Sequence, residues 1–305
     1  MDGRARGWPD LPESVRKELA SAGTAGGDSF FPVAGGYTGG VIGLLDEGIF
    51  VKAVPEDDPA ARDYLTEARV SAALGSGIPT PSLRLVTQND GWVALAFEIA
   101  RGDHATEPWE GRQLRLVLDA VDQIEDALTP SPVDELPSVA ERRRGRWSTW
   151  GRRRDNGALG AGSRDSLSAW EGARLAQLAD LESRAETLLE GDTLLHFDLR
   201  HDNIFIDGDS VTFVDWGRAC TGPGWVDVVC MLLESQVAES HLDTLFLSTR
   251  RGASADPEGV DAFLTILASY WRYSATLPTP GSPGLQERRA RSRDATLRWL
   301  SQRWD

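Results

Sequence analysis

Residues 194–217 decide how this chain folds, and they read LLHFDLRHDNIFIDGDSVTFVDWG. A polar loop leads into a short apolar run, a tight turn at Asp207-Gly208-Asp209-Ser210, and a second apolar run that ends at Asp215. An Asp-Gly turn between two strand-like runs predicts a β-hairpin. We expect this hairpin to fold Asp215 back beside Asn203, with Asp198 a few residues upstream on the loop. Carboxylate and amide oxygens in such an arrangement suit a hard cation such as Mg²⁺ and a phosphorylated ligand.

Two spaced motifs in this segment carry a family resemblance. His196-x-Asp198-x-x-x-x-Asn203 followed by Asp215-Trp216-Gly217 resembles the catalytic and metal-binding loops of the protein-kinase fold, and the short hairpin is similar to that of the aminoglycoside phosphotransferase and choline kinase branch. The resemblance implies ATP or GTP as phosphate donor and Mg²⁺ as cofactor. It also implies that Asp198 accepts or orients the proton of a substrate hydroxyl, that Asn203 and Asp215 hold Mg²⁺, and that His196 completes the catalytic set by bracing the loop.

The same resemblance assigns roles to residues outside the hairpin. Lys52, at the end of the second predicted strand, matches the lysine that contacts the α- and β-phosphates, and Glu67 on the following helix matches its ion-pair partner. The stretch from Glu98 to Arg101 matches the hinge whose backbone meets the nucleobase, so Glu98 and Ala100 are predicted to bind the nucleotide. Asp227 matches the aspartate that begins a helix and anchors the catalytic loop.

Two features depart from the family pattern. The stretch Gly35-Gly36-Tyr37-Thr38-Gly39-Gly40 does not follow the spacing Gly-x-Gly-x-x-Gly, so a phosphate-covering role for it depends on its position before a hairpin. Position 197 is Phe where the family often has Gly, and position 216 is Trp where many kinases have Phe. Both changes add bulk near the predicted site without removing a ligand.

The first hundred residues predict a small lobe of strands with one main helix. Apolar periodicity and turn residues predict a short helix, a hairpin, a longer helix and a second hairpin. Their bounds are Trp8 to Ala20, Val41 to Leu45 with Ile49 to Val54, a helix from Asp58-Pro59 to Gly75, and Leu83 to Val86 with Trp92 to Ile99 around Gln88-Asn89-Asp90-Gly91.

After Ala100-Arg101-Gly102 the pattern becomes helical. The predicted helices are Leu114 to Leu128, Leu167 to Leu189, Val226 to Leu233, Leu242 to Ser248, Val260 to Tyr273 and Gln286 to Trp304. The predicted fold is therefore α+β and protein-kinase-like, with two lobes. Residues 1–100 form a nucleotide-binding lobe with a small mixed β-sheet and one main helix, and residues 101–305 form a larger, mostly helical catalytic and substrate-binding lobe.

The arginine-rich segment Thr129 to Gly162 allows two interpretations. Its runs Arg142-Arg143-Arg144 and Arg152-Arg153-Arg154 belong either to a mobile, solvated insertion or to a clamp for substrate or phosphate. Trp147, Trp150 and Trp170 are likewise either core residues or rings that stack on a sugar.

Composition limits the classes of partner and the compartment. A net charge of −15 argues against nucleic acid, which needs a basic face. No run approaches the roughly 20 apolar residues of a membrane span, and the charges and prolines of the first twenty residues do not suit a signal peptide. Two cysteines without a histidine cluster suggest neither a zinc site nor a disulfide framework. We therefore expect a cytoplasmic protein that binds neither nucleic acid nor membrane.

The acceptor is less well specified than the reaction. Between Asp180 and Asp243 there are fourteen acidic residues and three arginines, which either attract a cationic substrate or cover solvated faces. The sequence favours transfer of the γ-phosphate to a hydroxyl of a small polar molecule, with an aminoglycoside-like or other cationic antibiotic as the best single guess. Kinases of an amino alcohol, a ketosamine or a sugar, and a nucleotide-binding pseudokinase scaffold, remain the alternatives.

Overall fold

The chain forms two compact units, one of which is discontinuous in sequence. The computed structural model describes residues 6–23, 29–33, 39–46, 48–109, 111–143, 149–156, 167–238, 241–277 and 283–305. The first unit comprises Met1–Ala105 and Asp202–Ala219, and the second comprises Thr106–His201 and Cys220–Asp305. The functional division of the chain at residue 100 stays a prediction.

A five-stranded sheet forms the centre of the first unit. Its strands are β1 (Phe30–Pro32), β2 (Val41–Leu45), β3 (Ile49–Pro55), β4 (Leu83–Asn89) and β5 (Trp92–Glu98). The order is β1-β2-β3-β5-β4, and every pair is antiparallel. The prediction of a mixed sheet is corrected here: β2–β3 and β4–β5 are hairpins, and β5 returns antiparallel to β3. At the predicted turn, Asp90 and Gly91 both have positive φ, 46° and 74°, as the favoured two-residue hairpin turn requires.

Two helices accompany this sheet. The main helix, α2 (Ala61–Ala73), buries Ala61, Tyr64 and Ala68, which recur at helical spacing, whereas Ala72 at the same spacing is exposed. The helix predicted over Trp8 to Ala20 is instead a 3₁₀ turn at Trp8–Asp10 followed by α1 (Glu13–Ser21). Pro12 lies between them in an extended conformation, and proline cannot donate the backbone hydrogen bond that a continuous helix needs at that point.

Residues 204–213 form two strands of a second, three-stranded sheet in the first unit. Its strands are β6 (Asp103–His104), β8 (Ile204–Asp207) and β9 (Ser210–Phe213), in the order β6-β8-β9. The hairpin β8–β9 is therefore confirmed, whereas the two-residue strand β6 has no sequence signal. The rings of His104 and Phe205 lie with their centroids 4.1 Å apart and their planes tilted by 44°.

The second unit is mostly helical, with a two-stranded ribbon formed by β7 (Thr193–Leu195) and β10 (Cys220–Gly222). Its helices are α3 (Gly111–Ile124), α4 (Val139–Arg143), α5 (Thr149–Asn156), α6 (Ala169–Ala173), α7 (Leu175–Leu188), α8 (Val226–Glu234), α9 (Leu242–Ser248), α10 (Arg250–Ser254), α11 (Pro257–Thr276) and α12 (Pro283–Trp304).

Two predicted helices are interrupted in the structure. The helix predicted over Leu114 to Leu128 ends at Ile124 and continues as a 3₁₀ turn, Glu125–Leu128. The helix predicted over Leu167 to Leu189 is broken at Arg174, which separates α6 from α7. Ser168 and Glu171 form a capping box that fixes the start of α6.

The described part of the arginine-rich segment is neither wholly solvated nor wholly buried, since Arg152 and Arg154 are exposed while Trp150 and Arg153 are packed into the core. Trp150 on α5 is fully buried, and its indole Nε1 donates to the carbonyl of Thr265 at 3.0 Å. Arg153 is buried as well. Long-range packing against α7 and α11, which local composition does not reveal, holds this helix in the core. Trp150 is thus a core residue, while Trp147 lies outside the described residues.

Aromatic side chains form a continuous row through the second unit. Phe263 on α11 lies between Phe197 and Trp225, with ring centroids 6.4 and 5.9 Å away. Phe246 contacts Trp225 at 6.4 Å and Trp299 on α12 at 5.9 Å. The row connects residue 197 to the last helix of the chain. Among the described helices, none has the length and apolar character needed to cross a bilayer.

Candidate active site

Lys52 and Glu67 form a buried ion pair in the first unit. Lys52 lies on β3, Glu67 lies on α2, and only 5% and 3% of their surfaces are exposed. Lys52 Nζ also lies 2.9 Å from Oδ1 of Asp215 and 4.8 Å from the centre of the Tyr64 ring. The pair predicted from chain order is present, and a second carboxylate shares its cation.

The environment of this cluster shifts the ionisation of both partners. Burial by itself lowers the pKa of Lys52, but the charges of Asp215 and Glu67 outweigh it and raise that pKa above the ordinary value for lysine. Burial raises the pKa of Glu67 to about 7, against the opposing charge of Lys52. The ammonium group is therefore permanently charged. One buried cation flanked by two carboxylates can accept a phosphate group as a further partner.

The hairpin places Asp215 next to Asn203. The backbone N–H of Val214 donates to the carbonyl of Asn203 at 3.0 Å, and Phe213 pairs with Ile204 across the hairpin. Asn203 is buried, whereas 47% of the Asp215 side chain is exposed. Asp215 has φ = 66°, in the left-handed region that non-glycine residues seldom occupy.

Asn203 and Asp215 offer the kind of oxygen donors that Mg²⁺ prefers. Mg²⁺ is usually held by one or two carboxylates while phosphate and water complete its coordination. No group of three or more histidine, cysteine, aspartate or glutamate side chains within the described ranges could hold a metal ion. The two side chains fit a cation that arrives with a phosphorylated ligand, because such a cation needs few protein ligands.

In the second unit, Asp227 anchors the loop that carries His196 and Asp198. Its carboxylate accepts from the backbone N–H of His196 at 2.6 Å and from that of Phe197 at 2.8 Å. Asp227 lies in the first turn of α8 and is buried. Burial raises its pKa, against the opposing charge of His196 and the two N–H bonds. The predicted anchoring contact is thus present in the structure.

The loop presents Asp198 and buries its neighbours. His196 is only 1% exposed, whereas 31% of the Asp198 side chain is exposed. Arg200 Nε lies 3.6 Å from Oδ1 of Asp198, which places a positive charge beside the predicted proton acceptor. The catalytic roles of Asp198 and His196 stay predictions.

Phe197 explains why the family often has glycine at this position. Its φ is 63°, a conformation that glycine adopts freely and a bulky side chain does not. The ring is buried and packs against Phe263. The sequence indicated extra bulk at position 197 but could not reveal the backbone conformation that makes this bulk unusual.

The predicted hinge lies at the end of β5. Glu98 accepts a hydrogen bond from Ser82 Oγ at 2.8 Å and pairs with Arg84. The bond from Ser82 and the charge of Arg84 lower the pKa of Glu98. Ala100 follows in a half-buried stretch without regular structure. Nucleotide binding by the backbone of Glu98 and Ala100 stays a prediction.

Residues 35–38 of the glycine-rich stretch lie outside the described residues. Gly40 is described, and a Cβ atom added there would lie 2.5 Å from the carbonyl oxygen of Ala53. Glycine is therefore required at position 40 by close backbone approach, whatever the role of the residues before it.

One contact at the site has no counterpart in the sequence analysis. Arg218, directly after Asp215-Trp216-Gly217, pairs with Asp63 on α2 at 3.0 Å. A Cβ atom on Gly217 would lie 3.0 Å from the carbonyl oxygen of Asp63. The metal-loop segment is thus held directly against the helix that carries Glu67. The charge of Arg218 was the only sign in the sequence of an ion pair here, and it could not identify the partner, because Asp63 lies 155 residues away.

Comparison with known proteins gives a consistent result. Residues 33–264 match the family model for the phosphotransferase enzyme family. No curated protein sequence matches the chain. Among solved structures, an aminoglycoside phosphotransferase from Alicyclobacillus acidocaldarius subsp. acidocaldarius DSM 446 is similar, with 13% identity, a TM-score of 0.59 and coverage of 96% of this chain and 95% of that one.

Two further structures contain ligands. A spectinomycin phosphotransferase in complex with ADP and spectinomycin has 14% identity and a TM-score of 0.58, over 90% of this chain and 92% of its own. An amicoumacin kinase in complex with AMP-PNP and Ca²⁺ has 12% identity and a TM-score of 0.53, over 87% of both chains. At these identities the likeness shows the fold. It confirms the predicted protein-kinase-like α+β fold.

Proposed function

The chain belongs to the phosphotransferase enzyme family and is a small-molecule kinase, and from this premise we propose that it transfers the γ-phosphate of ATP or GTP, with Mg²⁺, to a hydroxyl of a small polar molecule. A cationic antibiotic, aminoglycoside-like or of another kind, is the proposed acceptor. The net charge of −15 favours a cationic molecule over an anionic one.

One observation carries this proposal. Lys52 is buried between Glu67 and Asp215, and the hairpin bonds the residue before Asp215 to Asn203. Phosphoryl transfer needs little covalent chemistry from the protein, and depends on positioning and on neutralising phosphate charge. A fixed cation beside the Asp215 carboxylate, with Asn203 directly before the paired strand β8, supplies both. A structural ion pair alone would not require the adjacent half-exposed carboxylate or its left-handed backbone.

The site residues of the first unit then have the following proposed roles. Lys52 would bind the α- and β-phosphates, and Glu67 would hold its ammonium group in place. Asn203 and Asp215 would hold Mg²⁺, which neutralises charge on the phosphates when bound. Asp215, with half of its side chain exposed, could exchange its contact with Lys52 for a contact with the cation. The backbone of Glu98 and Ala100 would bind the nucleobase.

The loop of the second unit would supply the acid–base chemistry. Asp198 would accept or orient the proton of the acceptor hydroxyl, and its partial exposure leaves room for a substrate. His196 and Phe197, whose N–H groups bind Asp227, would hold the loop backbone so that Asp198 keeps its position.

The test is ADP release by the full chain, with Mg²⁺, ATP or GTP, and a panel of hydroxylated amines. We expect Asp198→Asn to lose at least about 10²-fold in acceptor-dependent turnover, because positioned acid–base catalysis contributes on this scale. Asp207→Asn, which changes an exposed carboxylate of the β8–β9 hairpin nine residues later, is the control and should keep full turnover. Equal activity in Asp198→Asn and wild type would overturn the assignment.

A further inference from the structure

The backbone directly before Asp198 has an unfavourable conformation. Phe197 has φ = 63°, a region that a bulky side chain seldom occupies. Glycine, which the family often has at this position, would adopt the same conformation without strain. Strained residues persist only where the surrounding structure holds them, and they concentrate at functional sites. The surroundings of Phe197 should therefore contain the groups that offset its strain.

The hydrogen bonds to Asp227 are one restraint on this backbone. The N–H groups of His196 and Phe197 donate to the two oxygens of that carboxylate, at 2.6 and 2.8 Å. Glycine at position 197 would keep both bonds, because the loop contributes only main-chain atoms to them. The bonds to Asp227 therefore do not account for the presence of a ring.

The ring of Phe197 is a second restraint. Only 7% of Phe197 is exposed, whereas 31% of the Asp198 side chain is exposed, so the ring belongs to the core and does not line a substrate site. Its centroid lies 6.4 Å from that of Phe263 on α11, with the two planes tilted by 53°. This geometry is within the range of favourable aromatic pairs. Burial of the ring offsets the unfavourable backbone.

Phe263 also contacts the segment that leads to Asp227. The centroid of its ring lies 5.9 Å from that of Trp225, with the planes at 74°, and Trp225 precedes Asp227 by two residues. Phe263 is fully buried. One side chain of α11 therefore contacts both of the segments that the hydrogen bonds of Asp227 join.

We propose that Phe263 is a positioning residue for the catalytic loop. By holding the ring of Phe197 and the indole of Trp225 together, it keeps the backbone before Asp198 in the conformation used for catalysis. The inference rests on the proposed function, and adds to it a residue of α11 that does not touch the reacting atoms. Precise placement of Asp198 matters because a misplacement of about 1 Å in a catalytic group can cost about 10²-fold in rate.

Phe197→Gly gives the loop the residue that the family often has. If the ring had no role, this variant would turn over as fast as wild type or faster. We expect kcat instead to fall about tenfold, a partial loss of placement, with the KM for ATP and for the acceptor within about twofold of wild type. The measurement is ADP release with ATP, Mg²⁺ and the most active amine of the panel. A wild-type kcat in folded Phe197→Gly would overturn the inference.

Phe263→Ala shows whether the two rings act through each other. It should lower kcat by a similar factor, and the double variant Phe197→Gly/Phe263→Ala should be no slower than the slower single variant, because the contact is already lost. Phe263→Leu keeps a large apolar side chain against Phe197 and should retain most of the wild-type kcat. Losses that multiply in the double variant would mean that the two residues act separately, against the proposal.

Leu178→Ala is the control for stability. Leu178 is fully buried on α7 of the same unit and has no proposed role at the site. Its truncation should lower the denaturation midpoint about as much as Phe263→Ala does, yet leave kcat unchanged at a temperature where every variant is folded. If kcat fell equally in Leu178→Ala and Phe263→Ala, it would simply follow stability, and the positioning role would be excluded.

Amide hydrogen exchange of the nucleotide-free protein separates the positioning role from the reaction. The N–H groups of His196 and Phe197 should exchange at least about tenfold faster in Phe263→Ala than in wild type, while Leu178→Ala should leave them protected. Unchanged protection in Phe263→Ala would overturn the inference even if the kinase activity held. Absence of ADP release by wild type with every acceptor would instead overturn the proposed function, and with it the catalytic role of the loop.

Discussion

Lys52 Nζ lies 2.9 Å from Oδ1 of Asp215, although 163 residues separate the two along the chain. The same ammonium pairs with Glu67, and both Lys52 and Glu67 are buried. Buried charges depend on their partners, so this cluster links the stability of the first unit to its proposed nucleotide chemistry.

Lys52→Met should abolish turnover, because it removes the cation proposed to bind the phosphates, and should destabilise the protein by about 1–3 kcal/mol, because it leaves the carboxyl group of Glu67 buried without its partner. The double variant Lys52→Met/Glu67→Met should recover most of that stability and none of the activity. Lys17→Met removes the only other lysine, which is exposed, and should change neither property. Chemical denaturation and ADP release measure both. A double variant as unstable as the single one would contradict the argument.

The stability contributed by Glu67 should depend on pH. Folded Glu67 keeps its proton up to about pH 7, whereas the unfolded chain releases it near 4.5. Between these values the folded state binds more protons, so this contribution is present below about pH 4.5 and is lost as the pH rises to about 7. The loss is at most about 3.5 kcal/mol, from about 1.4 kcal/mol per pKa unit over the 2.5 units between 4.5 and 7.

The measurement is the difference in unfolding free energy between wild type and Glu67→Gln, followed from pH 4.5 to 7. We expect wild type to lose stability relative to the variant across this range. A difference that is constant, or that grows with pH, would show that the pKa of Glu67 is not raised.

Substitutions of Phe197 should reverse the usual ranking of alanine and glycine. Both remove the ring that packs on Phe263, at a cost of about 3–5 kcal/mol for alanine. Only alanine keeps the unfavourable left-handed backbone, so Phe197→Gly should be about 1 kcal/mol more stable than Phe197→Ala.

Phe263 provides the comparison, because it occupies an ordinary position within α11. There Phe263→Ala should be more stable than Phe263→Gly by about 1 kcal/mol, as helix propensity requires. Thermal or chemical denaturation of the four variants measures whether alanine or glycine is more stable at each of the two positions. The same ranking at both positions would rule out strain at Phe197.

Asp227→Asn should weaken the catalytic loop without unfolding the chain. The carboxylate accepts one N–H on each oxygen, whereas an amide has one accepting oxygen and would leave one N–H unpaired. We expect a loss of about 1–3 kcal/mol in stability and a fall in kcat that exceeds any change in the KM for nucleotide. Asp207→Asn again serves as control. A stable variant with wild-type kcat would show that the anchor does not position Asp198.

Local sequence signals predicted the elements that build the site. The hairpin over 204–213 and the strands at 41–55 have alternating apolar residues and turn residues between them, which is information contained within each segment. The order of Lys52, Glu67, Asp198, Asn203 and Asp215 then indicated the fold before any contact was known. The structure adds the contacts Lys52–Asp215 and Asp227–Phe197 to that order.

Features that depend on distant partners could not be predicted. Strand β6 has two residues and no periodicity, and it exists because β8 lies beside it. Trp150 is buried because α11 supplies the carbonyl of Thr265, 115 residues later. Phe197 has a left-handed backbone, packs on Phe263 and donates its N–H to Asp227, and the residue type reveals none of these features.

The first unit consists of two separate stretches of the chain, and this has a consequence for biosynthesis. Residues 202–219 belong to this unit, although residues 106–201 of the other unit precede them in the chain. A ribosome therefore exposes Lys52 and Glu67 long before it makes Asp215. Over the same interval, residues 103–104 of β6 have no β8 strand with which to pair. The nascent chain cannot complete its first unit until position 219 has left the exit tunnel, so the order of translation is not the order in which the two units are finished.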